Sequence, residues 1–588
     1  MKKILPAVFL ICGVFLFYWL KVSGPARIET AYHNGQIELL NRLAGTEQKQ
    51  ALDFYQGRIQ ETFFGPGTQM ISGLLFTIAA LLFLQNANRL QFALAVFAYL
   101  LLAKFEVLVF PPYGDAIGGC FAEGIWLAKN SFNYLGLLKE DSYSLGGPRV
   151  YLFSIFPTFL ATMMTLIPSV KMFLAVNHLL FFGMAAMTVS LLRDCFLKVF
   201  PKDIAALGAL ALLFLPLFQS QTEAINMEMP STFLMVWSAF ALIERRIGKA
   251  VFFAVMATAV KGTGVLACFA VVAVMGVELL TSREARKKIR YWVYLLLMPA
   301  FGLLAVVLKF LVKDQHVSGG MIHLAAGWPS LRNEFIFYLF VVCALIFLVA
   351  LIRKKSGRLD APSVMFIYAA MWFLLFFNFF AVSPRYRLAL YPFLVFIVVY
   401  TAFLLLRQPG LRRVGLIVMM TVSLYFSYGA FYGGASENDH VLLERSLEYR
   451  NDLDVNRRLA HRLEEHYADH LIVAPLVVAQ LLALPELGYV GKKLDVMLYG
   501  FRCTYGGIKN YAGLKNLNPT RTIYVGVKVA PLSPEFPYPI GPHDQILEEI
   551  QVGNKKNWLF KGGAAIDAVW RATQILKLKA RAEAGTWR

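Results

Sequence analysis

The chain has 588 residues, of which 58% are hydrophobic and only 16% are charged, and its formal net charge is +20. Soluble domains are typically about 45–50% apolar and about 25% charged, so this apolar excess is too large for one soluble core. The composition also excludes a disordered chain, a collagen-like chain and a small disulfide-linked scaffold. It indicates an α-helical polytopic membrane protein.

Apolar runs that could cross a bilayer recur from the N-terminus to about residue 430. About 20 apolar residues, in a range of about 17–25, are needed for one crossing. Lys261–Gly264 interrupts the run 247–280, which we therefore interpret as a helical hairpin. Thirteen spans are predicted, at 4–20, 69–84, 90–110, 172–192, 204–218, 231–244, 247–260, 263–280, 290–312, 335–353, 363–381, 387–406 and 414–430.

Two apolar segments need separate interpretation. The run 4–20 follows Met-Lys-Lys and resembles a signal peptide, but no convincing cleavage site follows it, so we expect a retained anchor. If residues 151–168 were counted as a span, every later loop would be placed on the opposite side of the membrane. We therefore interpret them as an interfacial or re-entrant segment on the outer face, interrupted by Pro157.

The positive charge is concentrated in the loops predicted on the inner face. Cytoplasmic loops are enriched in Lys and Arg, and with the N-terminus inside, the runs SREARKK (282–288) and RKKSGR (353–358) fall on that side. The positive charge is therefore explained by the membrane topology of the chain, and no nucleic-acid partner is expected. The predicted location is a bacterial inner membrane, with a cytoplasmic N-terminus and a periplasmic C-terminal domain.

Beyond the membrane domain, 1–430, residues 431–588 change character and are predicted to form a small extracytoplasmic α/β domain. Segment 437–470 is charged and helical in period, and Leu471–Pro475 and Thr522–Lys528 have the pattern of short buried strands. The basic tail 563–584 is helical in pattern.

The informative acids lie in the predicted outer loops, which are 21–67, 111–171, 219–230 and 313–334. Asp115 follows Pro-Pro-Tyr-Gly and precedes a helix-like stretch, so it is either a helix N-cap or a general base at the membrane surface. Glu228 opens the helix after the loop that also holds Glu223. It either complements the helix dipole or takes part in a site.

Three cations are predicted on the same face, Arg149, Lys261 and Arg385. Each alone could anchor a lipid headgroup, whereas together they make a site for an anionic phosphate beside a general base. No Walker loop or HExxH motif is present, and His316 and His323 have no carboxylate at metal-ligand spacing. No cofactor is firmly predicted, and a divalent metal is left open.

In this order of features the chain resembles the C-type glycosyltransferase superfamily (GT-C), near its aminoarabinose transferase and protein O-mannosyltransferase branch. Asp115 matches the first-loop acid, which the resemblance makes the base, and GPRVY matches the following basic-aromatic stretch. Glu228 in NMEMP matches the second-loop acid, which is usually Asp, so the resemblance makes it a catalytic residue with Asp115, or one that orients the Arg and Lys side chains or the acceptor. Lys261 matches the lysine of the KG turn, and Arg385-Tyr386 match the late RY pair.

The resemblance implies that Arg149, Tyr151, Lys261, Arg385 and Tyr386 bind the phosphate of a polyprenyl-phosphate sugar donor. It implies inverting transfer to a hydroxyl of a lipid-linked glycan, lipid A or a protein on the outer face. The chain departs from the family in two extra spans before the acidic loop and in Ala116 after the first acid. The alternatives are a transporter or flippase of lipid-linked sugars, or a polymer ligase that uses such carriers.

Overall fold

The structure, a computed structural model, describes residues 66–114, 116–139, 154–282, 286–287, 289, 291–298, 335–353, 359–376, 384–406, 408, 410–418, 449–499, 509–510, 517–527, 544–552 and 555–562. It is mostly helical and has a small sheet domain near the C-terminus. The predicted spans 4–20 and 414–430 and the tail 563–584 lie wholly or largely outside these residues.

Helices form most of the part before the sheet domain. Their apolar side chains form one large buried core and a second, small cluster. In chain order they are α1 (Pro66–Phe83), α2 (Arg89–Ala103), α3 (Ala122–Lys129), α4 (Tyr134–Lys139), α5 (Ile155–Leu166), α6 (Val170–Leu197), α7 (Lys202–Leu213), α8 (Pro216–Glu223), α9 (Glu228–Ile243), α10 (Ile247–Val260), α11 (Val265–Thr281), α12 (Phe335–Arg353), α13 (Ala361–Phe376) and α14 (Tyr391–Leu405).

Length and composition identify only some of these helices as membrane spans. Among the described residues, Val170–Leu197 and Gly262–Thr281 are each long and apolar enough, and α7 with α8 makes a third if the bent pair is one span. Several other apolar helices have 10–17 residues. Membrane association is thus supported in outline, and the count of thirteen spans stays a prediction.

Two details of the helices differ from the sequence prediction. The span predicted at 204–218 is two helices that meet at an angle of 63°. Pro216 explains the break because it begins α8, where its missing N–H costs no hydrogen bond. Pro157 does not interrupt its segment, since it lies in the first turn of α5, which runs on to Leu166.

The predicted break of the 247–280 run is present. Helix α10 ends at Val260, residues Gly262–Gly264 form a 3-10 turn, and α11 begins at Val265. A Cβ on Gly264 would lie 2.2 Å from the carbonyl carbon and oxygen of Ala257. The two helices can approach this closely because residue 264 has no side chain.

The sheet domain contains α15 (Tyr449–His466) and α16 (Leu476–Ala483) and six strands in the order β3-β2-β1-β4-β6-β5. The strands are β1 (Leu471–Pro475), β2 (Val496–Tyr499), β3 (Lys509–Asn510), β4 (Thr522–Val527), β5 (Gln545–Val552) and β6 (Lys555–Lys561). Strand β1 pairs in parallel with β2 and β4, whereas β6 is antiparallel to β4 and β5.

The helix and strands predicted for this domain are confirmed where the structure describes them, whereas its bounds of 431–588 and its extracytoplasmic location stay predictions. The two strands predicted from apolar runs are β1 and β4, and the charged segment contains α15. Helix α15 is amphipathic: Leu453, Leu459 and Leu463 are buried, while Arg458 and His461 are exposed. Its apolar stripe faces the core because these leucines recur at helical spacing.

Loops predicted on the inner face contact one another at one end of the helices. Arg89 pairs with Asp194 at 2.6 Å, Lys198 pairs with Glu244, and Arg413 pairs with Asp203 at 2.6 Å. These pairs join loops that are far apart in sequence. The helix ends next to the predicted inner loops therefore lie together, as the charge pattern predicts. The side of the membrane that they face stays a prediction.

Candidate functional site

Glu228 is the first residue of α9 and is buried, with 7% of its surface exposed. Its backbone N–H donates to Asn226 Oδ1 over 3.0 Å, which supports the start of the helix. An acid at this position also complements the helix dipole. The position of Glu228 at the helix start is therefore compatible with both sequence interpretations.

Lys261 reaches the Glu228 carboxylate from the break between α10 and α11. Its Nζ donates to Glu228 Oε1 and lies 4.1 Å from the ring centroid of Tyr386. The break is closed by a hydrogen bond from the Gly264 N–H to the Lys261 carbonyl over 2.8 Å. The same turn that ends α10 thus directs Lys261 to Glu228.

Arg385 and Tyr386 approach the same carboxylate from a third segment, the 3-10 helix Pro384–Ala389 before α14. Arg385 Nε is 3.3 Å from Glu228 Oε1, and its guanidinium donates to the Tyr386 hydroxyl over 3.3 Å. The guanidinium carbon is 5.1 Å from the Tyr386 ring centroid, within cation–π range. The aromatic ring therefore lies beside both cations.

Four of the seven predicted site residues thus meet at one place, Glu228, Lys261, Arg385 and Tyr386. Asp115, Arg149 and Tyr151 lie outside the described residues. The four residues bring one carboxylate and two cations into a buried position. Lys261 and Arg385 both lie at the same oxygen of Glu228, and the ring of Tyr386 lies beside them.

Two hydroxyl groups near the start of α9 escaped the sequence analysis. Ser231 and Thr232 are buried, and their side-chain oxygens have no hydrogen-bond partner within the part of the chain that the structure describes. They follow Glu228 by three and four positions, so they share its face of the helix. That spacing is the signal in the sequence that could have drawn attention to them.

A second buried cluster surrounds Glu223 at the end of α8. Lys104 Nζ donates to Glu223 Oε1 at 2.5 Å, and Arg450 donates to both carboxylate oxygens at 2.8 and 2.9 Å. The Tyr449 hydroxyl donates to Oε2 at 2.7 Å, and Arg450 also pairs with Glu106 at 3.1 Å. Burial and the neighbouring Glu223 raise the pKa of Tyr449 well above its usual range, so the phenol remains a donor.

This second cluster joins the helical part to the sheet domain, because Arg450 and Tyr449 begin α15. Further contacts continue the interface: Tyr113 donates to Asp452 at 2.8 Å, and Tyr489 donates to the Pro112 carbonyl at 2.9 Å. From the sequence, Glu223 was expected in an outer loop, and no partner was predicted for it. Arg450 is 227 residues away in the chain, so no local sequence pattern indicates this contact.

Within the described ranges, no group of three or more His, Cys, Asp or Glu side chains could hold a metal ion. His316 and His323 lie outside those ranges. The divalent metal left open by the sequence therefore stays a prediction without a described set of ligands.

The chain matches none of the models of known protein families, and no curated protein matches it.

Proposed function

We propose that the chain is a membrane glycosyltransferase. It transfers a sugar from a polyprenyl-phosphate donor to a hydroxyl of a lipid-linked glycan, lipid A or a protein on the outer face. The observation that carries the proposal is the meeting of Lys261, Arg385 and Tyr386 at Glu228 from three separate segments. These positions match the motifs of the GT-C resemblance, and the contacts supply independent support for their acting together.

The proposed reaction is a single displacement at the anomeric carbon. The acceptor oxygen forms a bond to the anomeric carbon while the bond between that carbon and the phosphate oxygen breaks. The configuration at the carbon inverts. Asp115 accepts the proton of the acceptor hydroxyl, and the carrier leaves as polyprenyl phosphate. Phosphate is already a good leaving group, so a second acid is not required.

Lys261 and Arg385 stabilise the negative charge that develops on the departing phosphate. Donors fixed in a buried site contribute strongly because they need no rearrangement as charge develops. Arginine can grip two phosphate oxygens, whereas lysine acts as a point charge. Arg149 and Tyr151 complete the phosphate contacts in this proposal.

Glu228 acts as a positioning residue in this scheme. Its Oε1 already accepts from Lys261 and lies near Arg385, so this oxygen is engaged with the two cations. The carboxylate holds both cations at one place before the donor arrives. The base is therefore assigned to Asp115 and the orientation of the cations to Glu228.

The test uses purified full-length protein in lipid, supplied with a panel of polyprenyl-phosphate sugars and an acceptor extract. Release of free polyprenyl phosphate is compared between native protein and Asp115→Asn. We expect release by the native protein and a large loss in the variant. A folded Asp115→Asn protein with native activity would remove Asp115 as the base.

The same measurement separates the alternatives. A flippase moves the intact donor across the bilayer and releases no polyprenyl phosphate. A polymer ligase uses a carrier loaded with a glycan chain and does not respond to single-sugar donors. Absence of release with every donor, from protein shown to be folded, would contradict the proposed function.

A further inference from the structure

A short segment connects the two buried glutamates. Glu223 ends α8 and Glu228 begins α9, and the side chain of Asn226 lies between them. Asn226 Nδ2 donates to Gln221 Oε1 over 2.7 Å, and Asn226 Oδ1 accepts the Glu228 N–H over 3.0 Å. One amide group therefore joins the helix that carries Glu223 to the first residue of the helix that carries the site.

The sheet domain contacts this segment at Glu223. Arg450 grips both oxygens of Glu223 from the first turn of α15, with 9% of its surface exposed. Glu223 and Gln221 are 2% and 1% exposed. The hydrogen bonds run from Arg450 to Glu223, and from Gln221 through the partly buried Asn226 to the N–H of Glu228, while the backbone of α8 joins Glu223 to Gln221.

We propose that Arg450 is a positioning residue of the site and that Asn226 carries its effect to Glu228. Docking of the sheet domain then fixes where Glu228 holds Lys261 and Arg385. The sheet domain thereby contributes to the geometry of the candidate site. The kinetic part of this inference rests on the proposed function, whereas the structural part does not.

The variant that tests the proposal is Arg450→Lys in the full-length protein. It keeps the positive charge and removes the two-oxygen grip on Glu223. The matched control is Arg462→Lys on the same helix. Arg462 Nε lies 2.9 Å from both oxygens of Glu548, but this pair lies within the sheet domain.

The first readout is hydrogen exchange of the peptide 224–232, which contains the Glu228 N–H. We expect roughly tenfold faster exchange in Arg450→Lys, the size of one lost hydrogen bond. Peptides of β1 and β4 should stay protected, and Arg462→Lys should leave 224–232 unchanged. Unchanged exchange in Arg450→Lys would overturn the proposal.

The second readout is a double-mutant cycle with Asn226→Ala. If Asn226 carries the effect, Arg450→Lys adds little to the exchange of 224–232 once Asn226 is replaced. Additive effects would show that the two residues act separately and would overturn the assignment of Asn226. Asn226→Ala by itself serves as the second variant should Arg450→Lys fail to fold.

The third readout is the kinetics of sugar transfer, followed as release of polyprenyl phosphate. We expect Arg450→Lys to lower kcat roughly tenfold with little change in KM for the donor, because the cations would act on the departing phosphate. A folded variant with native kcat and native exchange would remove Arg450 from the site and leave the proposed function intact. Native protein that transfers no sugar would contradict the function, while the exchange experiment would still decide the structural part.

Discussion

Glu223 and Glu228 are both buried, but their surroundings assign them different roles. Glu223 accepts from Lys104 within the helical part and from Tyr449 and Arg450 of the sheet domain, so it holds these two parts of the chain together. Glu228 contacts Lys261 and Arg385, which come from two other segments and were both predicted as phosphate-binding cations. Glu223 is therefore a structural residue of the interface, and Glu228 belongs to the candidate site.

Replacing Glu223 by Gln should destabilise the protein strongly. The change leaves Lys104 and Arg450 as buried cations without their shared carboxylate, which we expect to cost about 3–5 kcal/mol in the free energy of unfolding. Denaturant titration in mixed micelles measures this. Glu244→Gln is the control, because the Lys198–Glu244 pair is partly exposed and should contribute at most about 1 kcal/mol. Equal effects of the two changes would contradict the assignment.

Replacing Lys261 by Met should impair transfer while the fold is kept. Loss of one fixed donor to a developing anion is expected to lower kcat roughly 10²-fold, and methionine retains most of the apolar volume. Release of polyprenyl phosphate measures the effect. Lys171→Met is the control, since Lys171 is exposed in the first turn of α6, also on the predicted outer face. Similar losses in both variants would argue against a specific role for Lys261.

Among the elements, the hairpin of α10 and α11 positions one of the site residues through its local sequence. The turn at Gly262–Gly264 ends one helix, starts the next and presents Lys261. Its two glycines have different surroundings. Gly264 faces the backbone of Ala257, whereas nothing lies within 4 Å of a Cβ placed on Gly262.

Gly264→Ala should therefore disrupt the hairpin, while Gly262→Ala should be tolerated. The new methyl group at 264 would overlap the Ala257 backbone, and overpacking of this kind costs about 1–3 kcal/mol or more. Gly262→Ala should change the free energy of unfolding by less than about 1 kcal/mol. Thermal unfolding of both variants in one detergent measures the difference. A Gly264→Ala protein as stable as the native one would contradict the close approach.

At the scale of the whole molecule, the charged residues separate to the two ends of the helices. The predicted inner loops form ion pairs such as Arg89–Asp194, and the other end carries Glu228 and the sheet domain. The predicted orientation rests on the positive charge of the predicted inner loops. A membrane-impermeant label can test it directly.

We predict that single cysteines at positions 249 and 492 are labelled from opposite sides of the membrane. Lys249 and Lys492 are both exposed in the structure, so access to each is limited by the membrane alone. In intact cells, Lys492→Cys should react with an impermeant maleimide, and Lys249→Cys should react only after permeabilisation. A version of the chain without its own cysteines provides the background. Labelling of both positions in intact cells would contradict the predicted orientation.

Several features could be predicted from the sequence because they depend on neighbouring residues. The apolar runs, the break at Lys261–Gly264, and strands β1 and β4 follow from local period and turn residues. Pro157 misled the prediction because proline interrupts a helix only beyond its first turn, and the start of α5 at Ile155 was not evident. The bend at Pro216 was likewise hidden in a continuous apolar run.

From the sequence alone we could predict membrane association, many of the described helices and the strands β1 and β4, and we could single out Lys261, Arg385 and Tyr386 as candidate site residues. The contacts of these three residues at Glu228, and the hydrogen bonds of Arg450 to Glu223, could be seen only in the folded chain. Period and turn chemistry act over a few residues, whereas buried ion pairs form between side chains that only the packing of distant elements brings into contact.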